Sequence, residues 1–119
     1  LAYASEIRFK TDLANIDHVL TPEFEINFYR IIQECLNNIL KHSQAREATL
    51  QLELDPKCVR LTVTDDGTGF VPPAGNGGHP GFGLKSIAER ARTMGGEAAI
   101  RSQPGKGTRV EVVIPRQAR

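Results

Sequence analysis

Residues 22 to 42 read PEFEINFYRIIQECLNNILKH, and the fold turns on how this stretch is read. Apolar residues fall at Phe24, Phe28, Ile31, Ile32, Cys35, Leu36, Ile39 and Leu40, the i, i+4, i+7, i+8 spacing of one helix face. Thr21 supplies an N-cap and Pro22 a proline at the first helical position, so one helix is expected from Pro22 to about His42. At about 100° per residue, Glu34, Asn38 and Lys41 share a sector roughly 60° wide beside the apolar stripe. His42 lies on the near edge of the stripe. An acid, an amide, an ammonium and an imidazole thus line up where a core helix would meet a cleft. The alternative is an ordinary solvated face, with an i,i+4 polar pair and a C-terminal Lys and His favoured by the helix dipole. The helix alone leaves both open.

The chain around it has 119 residues, enough for one domain with a single core between two packed layers. Its net charge is +1 with acids and bases interspersed, which argues against a nucleic-acid or membrane surface. No apolar run approaches bilayer-spanning length, and no signal peptide opens the chain. Cys35 and Cys58 read as small core residues in a reducing compartment, and with the three histidines they form no metal-binding spacing. The chain opens at Leu1 and its only methionine is Met94, so a fragment of a longer protein is expected.

Residues 5 to 11 alternate, with Ile7 and Phe9 on one face, and predict a half-buried strand. Asp12 to Leu20 reads as a connection in which His18 is a loop histidine. Beyond the helix, Ala48, Leu50, Leu52 and Leu54 alternate with polar residues, and so do Val59, Leu61 and Val63 after the turn Asp55-Pro56-Lys57. These two strands are expected to pair as an antiparallel hairpin. The odd phase from Val63 turns Asp65 inward at the strand end, where a carboxylate is costly unless donors meet it. Asp65 either caps the next turn through its own backbone or meets a bound group, which Gly67 and Gly69 would let approach.

Residues 70 to 80, FVPPAGNGGHP, have little to bury and suit a mobile lid, with His79 as a solvent-exposed histidine. Gly81-Phe82-Gly83 opens a helix bearing Leu84, Ile87, Ala88, Ala91 and Met94 on one face, stopped by Gly95-Gly96. Its free N-terminal N–H groups make a generic anion site. P-loop and dinucleotide fingerprints are absent: Gly105-Lys106 leads into Gly107, and Gly81-x-Gly83 lacks a third glycine. Two strands close the chain, with Ala98 and Ile100 inward in the first and Val110, Val112 and Ile114 inward in the second. The even phase turns Thr108 inward too. Asp65 and Thr108, if their strand ends adjoin, form an acceptor and a hydroxyl ready to grip a flat heterocycle edge-on.

QECLNNILKH, DDGTGF, GFGL and GKGT stand in the order and approximate spacing of the N, G1, G2 and G3 boxes of the GHKL ATPases. The chain resembles the catalytic ATP-binding (HATPase) domain of bacterial two-component sensor histidine kinases, over nearly its whole length and most tightly from residue 31 to 115. The forms QExLxNxLKHS, DDGxGF and GLxxIxERA resemble the subgroup that signals to regulators with helix-turn-helix output domains. The resemblance implies ATP and Mg²⁺, with Asn38 giving its side-chain oxygen to the metal and Glu34 orienting or deprotonating the nucleophile as the catalytic residue. Lys41 and His42 would lie toward the phosphates. Asp65 would accept from the adenine amino group, Gly67 and Gly69 would admit the base, and Thr108 would complete the adenine site. Gly81, Gly83 and Leu84 would frame the lid and the phosphate-facing helix start.

Two departures stand out. Asp66 occupies a position where many of the wider superfamily carry Asn, and the lid lacks a separate Phe-containing box. His18 is followed by Val19 and does not match the family's phosphoacceptor, which is expected on a dimerisation segment outside this chain. The expected fold is an α/β two-layer sandwich, a mixed, largely antiparallel sheet of about five strands with helices on one face. The expected partners are ATP, a histidine-bearing dimerisation domain of the same parent kinase and, indirectly, a response regulator. Nucleic acid and direct membrane contact are not expected, and the domain is expected to be monomeric. It is expected in the cytoplasm, free or as part of a membrane-anchored sensor. The rival functions are an anti-sigma-type protein-serine kinase and a module that senses ATP without chemistry.

Overall fold

The computed structural model describes residues 7–69 and 84–116. Five strands, β1 (Arg8–Leu13), β2 (Glu47–Leu54), β3 (Cys58–Asp65), β4 (Glu97–Ser102) and β5 (Thr108–Pro115), form one sheet in the order β1-β2-β3-β5-β4. Only β1 and β2 run parallel, joined through helix α1 (Pro22–Asn38); all other neighbours are antiparallel. With α2 (Leu84–Thr93) this is the two-layer mixed sandwich that the alternation predicts.

Thr21 caps α1 by accepting from the Phe24 N–H at 3.4 Å, and Glu23 and Glu25 place negative charge at the positive end of the helix. Its buried side chains are Phe28, Ile31 and Cys35. The helix does not continue unchanged to His42. A π turn spans Ile39–Ser43, and Gln44 comes next, in the left-handed region at φ 55°. A π turn takes an extra residue, so the chain beyond it rotates off the α-helical stripe. Ile39 remains buried, but Leu40, assigned to the stripe by periodicity, is 60% exposed.

Helix α2 buries Leu84, Ile87 and Ala91, and Met94 follows them into the core. It ends in a Schellman arrangement: Gly96 N–H donates to the Ala91 carbonyl, Gly95 N–H to that of Arg92, with Gly95 at φ 80°. Leu20, Ile31, Leu61, Ile87, Val112 and Ile114 are fully enclosed between sheet and helices.

Two expectations need correction. Among the described residues the first strand spans Arg8–Leu13, running past the expected end at residue 11, and all six of its residues are exposed rather than half-buried, Phe9 at 42%; residues 5 and 6 lie outside the described residues. It is an edge strand that the helical layer does not cover. Cys58 is not a core residue: the odd residues of β3 face the helices, so Cys58 faces the other way. Its thiol donates to Asp55 Oδ2 at 3.0 Å.

Candidate functional site

The alternation of β3 and β5 carries Asp65 and Thr108 to the same end of the sheet and the same face. They are direct cross-strand partners, as Ser102 and Thr108 are on the next pair. Residues opposite each other on one face lie about 4.5–5.5 Å apart at Cβ. The two strand ends do adjoin, as the expected pairing of Asp65 and Thr108 requires.

Asp65 Oδ1 accepts the Gly67 N–H at 2.8 Å. The turn-capping reading of Asp65 therefore holds for one oxygen. Among the described residues no donor is bonded to the other oxygen. Burial raises the Asp65 carboxyl above its ordinary range against the pull of that N–H, and the neighbouring charge of Asp66 raises it further.

Thr108 belongs to a hydroxyl chain that the sequence reading missed. Ser102 Oγ lies 3.0 Å from the Gly107 carbonyl and 2.9 Å from Thr108 Oγ1. A carbonyl cannot donate and Ser102 has one hydroxyl proton, so both contacts are satisfied only when Ser102 donates to Gly107 and Thr108 to Ser102. Thr108 then offers lone pairs to its surroundings. The signal was present: the inward phase of Ala98 and Ile100 continues to Ser102.

The loops beyond these strands interlock. Gly69 is left-handed at φ 67°, and a Cβ there would stand 2.1 Å from the Gln103 carbonyl oxygen. At Gly107, φ 77°, a Cβ would stand 2.0 Å from the Asp65 carbonyl oxygen. Gly105 N–H donates to the Thr68 carbonyl at 2.6 Å. The DDGTG and GKGT boxes are thus packed backbone to backbone, which requires glycine on both sides.

Asp66 also has a defined position. Its Oδ1 accepts the N–H groups of Arg46 at 2.8 Å and Glu47 at 3.0 Å, while its own N–H donates to the Glu47 carbonyl at 3.2 Å. Those bonds hold its carboxyl below the ordinary aspartate range, the Glu47 bond first. The departure from Asn is a clamp that ties the chain leaving α1 and the π turn to the residue after Asp65.

On α1, Glu34 and Asn38 lie one turn apart, both partly buried, with Asn38 the last residue of the helix. Burial pushes the neighbouring Cys35 thiol up to about 12, helped by the Glu34 charge, so it stays protonated. Lys41 is exposed in the π turn; the side chain of His42, and Gly81, Gly83, His79 and the lid, lie outside what the structure describes. Leu84 is buried in the core at the start of α2. Across the helices Arg90 Nη1 donates to Asn27 Oδ1 at 2.9 Å.

Against known proteins, residues 24–118 match the family of histidine kinase-, DNA gyrase B-, and HSP90-like ATPases. The chain belongs to that family. Within it, the chain is similar to the sensor histidine kinase LiaS of Bacillus subtilis (strain 168), 37% identical over 99 residues, 83% of this chain and 27% of that protein. It is also 35% identical over 100 residues to the histidine-protein kinase/phosphatase DegS of the same organism, covering 83% of this chain and 26% of DegS. The fold superposes on the histidine kinase domain of the Erythrobacter litoralis EL346 blue-light activated kinase with a TM-score of 0.78 at 22% identity, over 94% of this chain and 52% of that one. The chain therefore spans about a quarter of the length of these two curated relatives. Among the described residues no helix is long and apolar enough to cross a membrane.

Proposed function

We propose that this chain is the single ATP-binding catalytic domain of a sensor histidine kinase, and that it presents the γ-phosphate of ATP to a histidine on a neighbouring dimerisation domain. The observation that carries the reading is the inward pair of Asp65 and Thr108, opposed in register between two interlocked glycine turns, in a chain of this family. The open oxygen of Asp65 accepts from the adenine amino group, and the Thr108 hydroxyl borders the same ring edge. Gly67 and Gly69 let the loop backbone approach the base, Gly69 while its other side packs on the GKGT turn.

The phosphates then extend toward the C-terminal end of α1 and the start of α2. Lys41, His42 and the backbone around Gly81, Gly83 and Leu84 meet their charge. Among the described residues no three His, Cys, Asp or Glu side chains cluster to hold a metal by themselves. One amide oxygen, that of Asn38, fits Mg²⁺, which takes few protein ligands and completes its octahedron with water and phosphate oxygens. When bound, Mg²⁺ neutralises charge developing on the transferred phosphoryl group. Glu34, one turn earlier on α1, orients the incoming imidazole or takes its proton.

Incubation with labelled ATP and separately supplied histidine-bearing helical segments tests the reading. An acid-labile phosphoprotein is expected. An acid-stable phosphoserine on a partner would replace the reading with a serine kinase, and ATP binding without transfer to any segment would reduce it to nucleotide sensing.

A further inference from the structure

The acids and bases interspersed along the chain are sorted once the sheet forms. On the face away from the helices, one rung crosses all five strands as Lys10, Thr49, Thr64, Arg109 and Arg101, each the register partner of the next. The rung is roughly 19 Å long at the usual strand spacing. It holds three cations and no acid. The rungs on either side carry acids, Asp12 and Glu111 at separate positions on one and Glu47 opposite Arg8 on the other.

Arg101 and Arg109 are directly opposed, and like charges so placed destabilise a sheet. Local acids do not neutralise them. Glu111 reaches Arg109 at 3.8 Å but lies closer to Arg60, at 3.3 Å, and among the described residues Arg101, Lys10 and Lys106 have no ion pair. Lys106, in the adjoining turn, joins Arg101, Arg109 and Thr64 around a cavity of about 520 Å³ whose other side is lined by Asp65, Ser102 and Thr108.

We infer that this rung docks an extended acidic segment of a partner protein, with carboxylates seated against Arg101, Arg109 and Lys106. The shape selects that occupant. A membrane plane or a nucleic-acid backbone would also press on the acids of the rungs beside it, and among the described residues this face has no aromatic side chain on which a base could stack. A single extended strand of about six residues spans the rung alone. Thr64 and Arg109 alternate with Asp65 and Thr108 along their strands, so the side chains that seat the segment stand on the face away from the helices.

The test is calorimetric titration of the chain at low ionic strength with a deca-glutamate peptide, with an ATP analogue titrated separately. Salt-sensitive peptide binding is expected, weakened about tenfold or more by Arg101→Ser with Arg109→Ser, with the ATP analogue binding as before. Arg101→Gln alone relieves the cross-strand repulsion, so it should fold with an unchanged or higher Tm while also weakening the peptide. Equal peptide affinity in the double variant overturns the inference. So does inorganic phosphate at matched charge competing as well as the peptide, or a single-stranded oligonucleotide binding more tightly through the same arginines.

Discussion

Asp65 and Thr108 oppose each other across β3 and β5 at the sheet end where the DDGTG and GKGT turns interlock. One oxygen of the acid is committed to the Gly67 N–H, and the threonine hydroxyl is committed to Ser102, so what remains toward a ligand is acceptor capacity. Adenine presents an exocyclic amine, a donor. Asp65→Asn replaces a charged acceptor and should weaken ATP binding by roughly 1–3 kcal/mol. Calorimetry checks this, and unchanged affinity would remove Asp65 from the site.

The same carboxyl gives a pH dependence. Burial raises its pKa, so as pH falls it takes a proton earlier than an exposed aspartate would, and the acceptor is lost. Nucleotide affinity should fall on that acid limb, and Asp65→Asn should lack the limb. For the empty fold the sign is opposite: a raised pKa means that protonation of Asp65 favours folding, and this contribution disappears as pH rises through the raised value.

Gly107 and Gly105 lie in one turn with nearly equal φ, 77° and 79°, yet only at Gly107 would a Cβ strike backbone. A Cβ at Gly105 would meet nothing within 4 Å. Gly105→Ala should cost only the left-handed conformation, about 1–2 kcal/mol. Gly107→Ala must also separate the two boxes at the Asp65 carbonyl, so a loss of about 3 kcal/mol or more is expected, with weaker ATP binding. Equal melting temperatures for the two variants would contradict the interlock.

Asp66 makes a prediction that a phosphate-facing or metal-facing acid would not. Asp66→Ala leaves the Arg46 and Glu47 N–H groups without their acceptor and should lower Tm, whereas Asp66→Asn keeps an oxygen there and should lose less. Because these bonds lower its pKa, the carboxylate contributes stability above the ordinary aspartate value and loses it as pH falls through the lowered one. Asp66→Asn should therefore show a shallower acid limb in thermal melts followed by circular dichroism.

Period-2 alternation was enough to place Leu61, Val63, Asp65, Val110, Val112 and Ile114 on one face, because each strand is flanked by good turn chemistry and covered by helices. It failed on β1, where Phe9 alternates correctly but sits on an uncovered edge, since period reports a face and not what lies over it. Helical periodicity likewise ran past Ile39, because a π turn is a change of hydrogen-bond register with no residue signature of its own. The clamp by Asp66 and the backbone contact at Gly107 depend on segments far apart in sequence, and no local pattern carries them. The sorted charges of the outer face needed the pairing register, which composition does not contain.

The α1 assignments are separable by their chemistry. On the proposed reading Asn38→Ala removes the amide oxygen that would serve Mg²⁺, and it should abolish the Mg²⁺ dependence of ATP binding while sparing much of the adenine contact. Glu34→Gln is close to isosteric and should keep ATP and Mg²⁺ binding but lower transfer to a histidine-bearing segment by about 10²-fold or more, the usual contribution of a positioned base. The two variants therefore fail at different steps: Asn38→Ala in the metal titration and Glu34→Gln in the transfer assay. A Glu34→Gln variant with full transfer activity would return that side chain to the solvated face of the helix, and an Asn38→Ala variant that still required Mg²⁺ would move the metal ligand elsewhere.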